Sequence, residues 1–301
     1  MTKAIDLKEI IGGIEPLDQS WIDKARERTS QLVMPTRALG RLHDIAERFC
    51  GIQKTISPTM DQKAILIMAG DHGVVAEGTS AYPQEVTGAM VQTFLGGGAG
   101  INAIARHVGA HVSVVDMGII PELDPASMEG GERLIISKIG NGTANLASGP
   151  AMTMQNAEKA VLTGFNHAAI LFNQGVALLG TGDMGIGNTT PSAAIGAVVT
   201  GADLDVMVGR GTGVDEQGLE RKRQAVQKGI ETNRPDTSDG LDILAKVGGF
   251  EIGGIAGCVL ASAYHQKPIV IDGFISTAGA LIAYTLCPKV KDYIFAGHCS
   301  E

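Results

Sequence analysis

Aromatic side chains are scarce, at 4% of 301 residues with a single tryptophan. A core built on large rings is thereby excluded. The 44% hydrophobic share must come mainly from Ala, Val, Ile and Leu, as where helices cover a buried parallel sheet. Cysteine is also rare. Cys50, Cys258, Cys287 and Cys299 lie far apart with no C-x-x-C pair, which argues against a disulfide framework or zinc knuckle and for small buried hydrophobes in a reducing compartment. Positive charge is in deficit: the formal net charge is −8, and the one tight basic run, Arg221-Lys222-Arg223, shares its stretch with Glu216 and Glu220. That leaves no footprint for nucleic acid. Long apolar runs are missing too. The longest uncharged one, residues 252–264, is too short and glycine-rich to span a bilayer, and the start of the chain carries Asp6, Lys8 and Glu9 with no apolar region. A soluble, cytoplasmic protein with no nucleic-acid or membrane partner is expected.

Glycine, by contrast, is plentiful: 41 residues, without any period, where about 7% is usual. Such residues belong in turns and in loops where backbone approaches another group closely. The length favours one large domain with a smaller satellite. Residues 1–60 read as a polar helical cap, with periodic patterns over 21–32 and 38–50 and breaks at Pro35 and Pro58. From residue 61 to 301 the pattern is α/β. Short apolar runs at 64–68, 111–115, 168–172 or a neighbouring run, and 268–271 alternate with alanine-rich helical stretches, predicting βαβ units and a parallel sheet. Ligands of such sheets bind beyond the carboxyl ends of the strands. The segments Ala69-Gly-Asp-His-Gly73, Asp116-Met-Gly118 and Asp272-Gly-Phe274 are therefore predicted to border the site.

Two glycine clusters carry candidate chemistry. Gly180-Thr-Gly-Asp-Met-Gly-Ile-Gly-Asn-Thr-Thr190 runs into Pro191 and an alanine-rich helix, a pattern that presents unpaired N–H groups to a phosphate without a metal. The alternative is a plain N-cap at Thr189 or Thr190 with Pro191 at the first helical position. The spacing does not fit the G-x-x-x-x-G-K-[ST] triphosphate loop. The second cluster, Gly209-Arg-Gly-Thr-Gly213, precedes a charged helix over 216–233. Gly70-Asp-His-Gly73 has two readings: a metal half-site completed by Asp116 and Asp272, as in a metal-dependent phosphohydrolase, or a loop in which Asp71 caps a turn and His72 orders the chain. No second ligand falls at i+3 or i+4, so no metal is expected. His107 and His111 are interrupted by Gly109 and Ala110, which indicates a helix ending into a strand.

Taken in order, Ala69-Gly-Asp-His-Gly-Val74, Glu77-Gly78, Pro83 with Val86-Thr87, Gly182-Asp-Met-Gly-Ile-Gly-Asn-Thr-Thr190, Lys246-Val-Gly-Gly-Phe250, Asp272-Gly-Phe274 and Gly297-His-Cys-Ser300 resemble the signature blocks of the nicotinate-nucleotide:dimethylbenzimidazole phosphoribosyltransferase family. The resemblance runs from about Pro35 to the last residue. It implies a homodimer with a Rossmann-like sheet and a small helical domain built from both chain ends. It also implies transfer of the phosphoribosyl group of nicotinate mononucleotide to 5,6-dimethylbenzimidazole, with no cofactor and no metal. Residue by residue, it places phosphate near Gly185, Gly211, Thr212 and Ser300, Asp183 at the ribose and reacting base, and Tyr82 and Met90 at the acceptor pocket. An aromatic and a thioether at those last positions leave other benzimidazoles, a purine or a phenol open as acceptors. The family's main catalytic glutamate lies in a C-terminal segment reading like L-G-E-G-[ST]-G, which has no counterpart before Glu301. The expectation is a piece of a longer polypeptide, the alternative being a catalytically deficient nucleotide-binding relative.

Overall fold

The computed structural model describes residues 5–123, 133–211 and 213–298. Three helices lead: α1 (Leu7–Gly13), α2 (Gln19–Ser30) and α3 (Arg41–Gln53). Asp6 starts α1 through a capping box, its Oδ1 accepting the Glu9 amide at 2.8 Å. Helix α3 begins three residues later than its pattern suggests, because Gly40 takes φ +52° and cannot belong to the helix. Buried Glu47 on α3 accepts from Arg26 on α2 at 2.9 Å and ties the pair.

Six described strands follow: β1 (Lys63–Gly70), β2 (Ala110–Gly118), β3 (Arg133–Ile136), β4 (Leu178–Met184), β5 (Ile269–Ile271) and β6 (Ile294–Ala296). All pair in parallel, in the order β3-β2-β1-β4-β5-β6. Between β1 and β2 lie α4 (Val86–Leu95) and α5 (Gly100–Val108). Gly109 at φ +66° ends α5 and starts β2, which separates His107 from His111 as expected. The remaining helices are α6 (Met154–Asn173), α7 (Thr189–Thr200), α8 (Leu204–Met207), α9 (Glu216–Asn233), α10 (Gly240–Val247), α11 (Phe250–Tyr264) and α12 (Gly273–Leu286).

The apolar run at 168–172 is the end of α6, not a strand. Thr153 caps that helix, and Ala157, Val161, Gly164, Ala168 and Phe172 recur at helical spacing on its buried side. The strand comes after the turn at Gly175, in the neighbouring Leu178–Met184 segment, where two glycines hide a β pattern. Those glycines lie beside β1 in the sheet, in register with Ile65 and Ile67: a Cβ on Gly182 would lie 3.1 Å from Ile67 Cγ1.

Each sheet face has its own core. Leu66, Met68, Val115 and Met117 face α6 and α11, whereas Ile67, Ala69, Val112 and Val114 face α4 and α5. Helix α11 is buried along nearly its whole length and meets α6 backbone to backbone. A Cβ on Gly257 would stand 2.0 Å from Val161 O, and one on Gly164 would stand 1.9 Å from Gly254 O. Part of the glycine surplus serves this crossing. The uncharged 252–264 run is thus an interior helix, and no helix among the described residues is long and apolar enough to cross a membrane.

The strand order reverses between β1 and β4: the chain leaves β1 toward β2 on one side and returns to add β4 on the other. In an open parallel sheet the crevice beyond the carboxyl ends of such a pair is where ligands sit. Here those ends are Gly70 and Met184.

Candidate active site

Strand β1 delivers Asp71 and His72, both buried. Asp71 Oδ2 accepts the Ile120 amide at 2.8 Å, and Asp116 Oδ1 accepts the amides of Gly118 and Ile119 at 3.0 and 2.8 Å. Burial raises both carboxyls above the ordinary Asp value, and these amides oppose it. Both acids fasten loops together, which favours the structural reading of Asp71. Among the described residues, no three His, Cys, Asp or Glu side chains are placed to hold a metal ion.

Strand β4 delivers Asp183, paired in register with Met68. Its side chain keeps some solvent access yet sits in low-dielectric surroundings, and desolvation raises its pKa to about 7. The Asn188 amide opposes the rise, donating to Asp183 Oδ2 at 2.7 Å. Asn188 occupies the N-cap of α7 but makes no capping bond there, because its side chain turns back to the carboxylate. This differs from a cap at Thr189 or Thr190. Helix α7 starts at Thr189, Pro191 is its third residue, and the buried Thr190 Oγ1 finds no partner among the described residues. Gly185 is required by packing: a Cβ there would lie 2.3 Å from Gly70 O and 3.2 Å from His72 Nε2. Thr87, at the start of α4, accepts the Ile186 amide at 3.0 Å and holds this loop to its neighbour.

The second glycine cluster closes on the start of α7. Gly211 has φ +54°, and a Cβ there would stand 2.9 Å from both Lys222 Nζ and Thr189 Oγ1. Lys222 is 1% exposed, and its ammonium donates to Gly209 O at 2.9 Å with no carboxylate paired to it among the described residues. Desolvation lowers its pKa to about 8, so it is still mostly charged at neutral pH. In the sequence Lys222 is only the middle member of the basic run Arg221-Lys222-Arg223. Its two neighbours have ordinary partners, Arg221 reaching Gly78 O and Arg223 pairing with Asp205 and Glu220. The signal that separates Lys222 is periodicity: it falls in the buried row Gly218, Lys222, Ala225, Val226, Gly229 of α9. A buried ammonium, a glycine turn and a helix start thus lie together beyond β4, a combination of cation and helix N-terminus that suits an anion such as phosphate.

Sequence reasoning also missed Glu251, in the first turn of α11, 0% exposed and 2.9 Å from His72 Nε2. Tyr82 stands 53% exposed in the loop before α4, and Met90 on α4 is half-buried against the second core beside Met184. Asp272 pairs with His298 at 2.9 Å on the rim of an apolar groove of about 350 Å³ floored by Ile65, Gly180 and Val270. That groove does not reach Asp183 or Lys222. Thr212 and Ser300 lie outside the described residues.

A doubly wound parallel sheet with a carboxylate and a buried lysine near its switch point has the frame of an α/β nucleotide-binding enzyme, and the family model for phosphoribosyltransferases matches residues 14–301. The nicotinate-nucleotide–dimethylbenzimidazole phosphoribosyltransferase of Geotalea uraniireducens is 48% identical over 97% of this chain and 82% of its own length. That of Desulfotalea psychrophila is 50% identical over 95% of this chain and 80% of its own. The crystal structure of the Thermus thermophilus enzyme superimposes with a TM-score of 0.86 at 44% identity, covering 94% of this chain and 82% of that one. The chain belongs to the nicotinate-nucleotide–dimethylbenzimidazole phosphoribosyltransferase family.

Proposed function

We propose that the protein moves the 5-phosphoribosyl group of nicotinate mononucleotide to 5,6-dimethylbenzimidazole, giving α-ribazole 5′-phosphate and nicotinate for cobalamin synthesis. The observation that carries this reading is Asp183: a carboxylate with a pKa of about 7 at the switch point, held by Asn188. A proton acceptor is most effective when its pKa lies near the working pH. The pyridinium of the substrate is already a cationic leaving group. Its C–N bond breaks with the electron pair going to the ring nitrogen, while a benzimidazole nitrogen lone pair bonds C1′ from the opposite face, and Asp183 takes the proton of the other ring nitrogen. Inversion from β to α follows. The same negative charge favours the oxocarbenium-like transition state.

In this reading Lys222, Gly211 and Gly185 receive the 5′-phosphate, joined by Thr212 and Ser300, and Tyr82 and Met90 border the acceptor. Residues 1–60 act as a small helical cap and residues 61–301 as the catalytic α/β domain. Contacts between the two ends of the described chain support a shared helical unit: Arg48 donates to Asp292 O and Ile294 O, and Tyr293 Oη donates to Glu15 O at 2.9 Å. We further propose a homodimer working in the cytoplasm, which sedimentation of the purified chain tests for assembly.

The reaction is tested by incubating the protein with nicotinate mononucleotide and dimethylbenzimidazole in the presence of chelator and following nicotinate by chromatography. Acceptor-dependent release of nicotinate with α-ribazole phosphate is expected. A folded protein that binds the mononucleotide and releases no nicotinate, alone and with a family-type C-terminal segment restored, contradicts the transferase reading, whereas activity only in the restored form removes Asp183 as the sufficient proton acceptor.

A further inference from the structure

The mechanism above leaves one buried charged group unused. His72 is 1% exposed and Glu251 is 0% exposed, and their side chains meet at 2.9 Å. The contact is close but poorly aligned for a hydrogen bond, and His72 Nδ1 and both Glu251 oxygens find no hydrogen-bond partner among the described residues. Attraction between opposite charges is therefore the main hold. Two buried polar side chains without further partners cost stability, and replacing such a pair by apolar groups is often neutral or favourable. Their presence calls for a role other than stability.

Three chain segments converge on this pair with no room for a methyl group. A Cβ on Gly249, ahead of α11, would lie 2.6 Å from His72 Cε1 and 2.7 Å from Glu251 Oε2. One on Gly70, at the end of β1, would lie 3.1 Å from Glu251 Oε2, and one on Gly185, after β4, would lie 3.2 Å from His72 Nε2. The ion pair is thus packed against Gly185, two residues beyond Asp183 on the backbone that presents the carboxylate.

Charged groups on all the elements packed here act on one another. Those facing Asp183 are Glu251 from α11, Asp272 from the end of β5 and His72 from the end of β1, and Glu251 outweighs His72. His72 itself loses basicity through burial, but Glu251, Asp71 and Asp183 more than restore it, so its ring holds a proton above the usual imidazole range.

We propose that Glu251, held against His72 behind the Gly185 backbone, is a positioning residue whose buried negative charge strengthens Asp183 as the proton acceptor for the benzimidazole N–H. It acts through Asp183 and touches neither substrate. The inference rests on the role given to Asp183 under the transferase reading, but its primary test needs no substrate, so the two fail separately.

The test is carboxyl carbon NMR of protein carrying 13C-labelled aspartate, with the Asp183 signal assigned by its loss in Asp183→Asn. Wild-type Asp183 should titrate near 7. Glu251→Gln keeps the shape and removes the charge, and it should lower that midpoint by about one unit, the scale of a neighbouring charge. Glu251→Asp keeps the charge and should leave the midpoint closer to wild type than Gln does. The acid limb of kcat should move the same way with KM little changed, a split that a purely structural role does not produce. An unmoved or raised midpoint in Glu251→Gln overturns the proposal. Should that variant not fold, the ring nitrogen shifts of His72 in the wild-type protein decide. An imidazolium majority at pH 6.5 is expected from the raised basicity of His72, and a neutral ring overturns the ion pair and the proposal with it.

Discussion

Asp183 and Lys222 meet the two ends of one substrate in this account, and each makes a separate prediction. Asp183→Asn is close in size and removes the proton acceptor. Turnover should fall by about 10²–10⁴-fold, the usual contribution of a positioned base, while calorimetry shows nicotinate mononucleotide still bound. Lys222→Met removes a desolvated cation, and charge-assisted hydrogen bonds are worth about 1.5–3 kcal/mol. KM for the mononucleotide should rise by about 10–100-fold, whereas nicotinate riboside, which lacks the phosphate, should lose nothing. Equal losses for both compounds would remove Lys222 from the phosphate site. The two residues differ in how legible they were. Asp183 sits in a glycine cluster that stands out by itself, whereas Lys222 hides between two arginines that composition treats alike. Glu251 was invisible because nothing local to α11 distinguishes a buried carboxylate from a first-turn acid favoured by the helix dipole.

At the level of elements, the short β-branched runs of β1, β2 and β5 and the charged helix α9 were readable because each is locally consistent in pattern and boundary signals. Strand β4 was not, since its glycines are chosen for the close approach of Ile65 and Ile67 from β1, a tertiary requirement. The apolar tail of α6 mimicked a strand for the converse reason: over five residues a helix end and a buried strand look alike. The crossing of α6 with α11 is the most demanding contact in the core. Gly257→Ala should force the helices apart and cost about 1–3 kcal/mol or more in urea unfolding. Gly12→Ala is the control. Nothing lies within 4 Å of its added Cβ in α1, and a gain of up to about 1 kcal/mol is expected from helix propensity. Similar destabilisation in both would contradict the backbone-contact account of the glycine surplus.

For the whole molecule, the strand order concentrates unusual electrostatics at one crevice, and this should appear in stability against pH. Asp183 is raised in the folded state, from 3.8 to about 7, so the folded protein holds a proton that the unfolded chain releases between those values. Its contribution is present below about pH 4 and is lost as pH rises through 7. His72, also raised, contributes below 6.5 and loses that contribution above its folded value. Both lower the melting temperature between pH 5.5 and 8, and Asp183→Asn should flatten part of that slope. An unchanged slope in the variant would contradict the burial assigned to Asp183.

In the proposed reaction the crevice between β1 and β4 binds the donor nucleotide, with its phosphate at Lys222 and its ribose at Asp183. A crystal structure of the protein with nicotinate mononucleotide tests it most directly. Phosphate oxygens within hydrogen-bond reach of Lys222 Nζ and the Gly211 turn are expected, with C1′ facing the Asp183 carboxylate. A nucleotide seated instead in the apolar groove over Ile65, Gly180 and Val270, with the crevice empty, would contradict it.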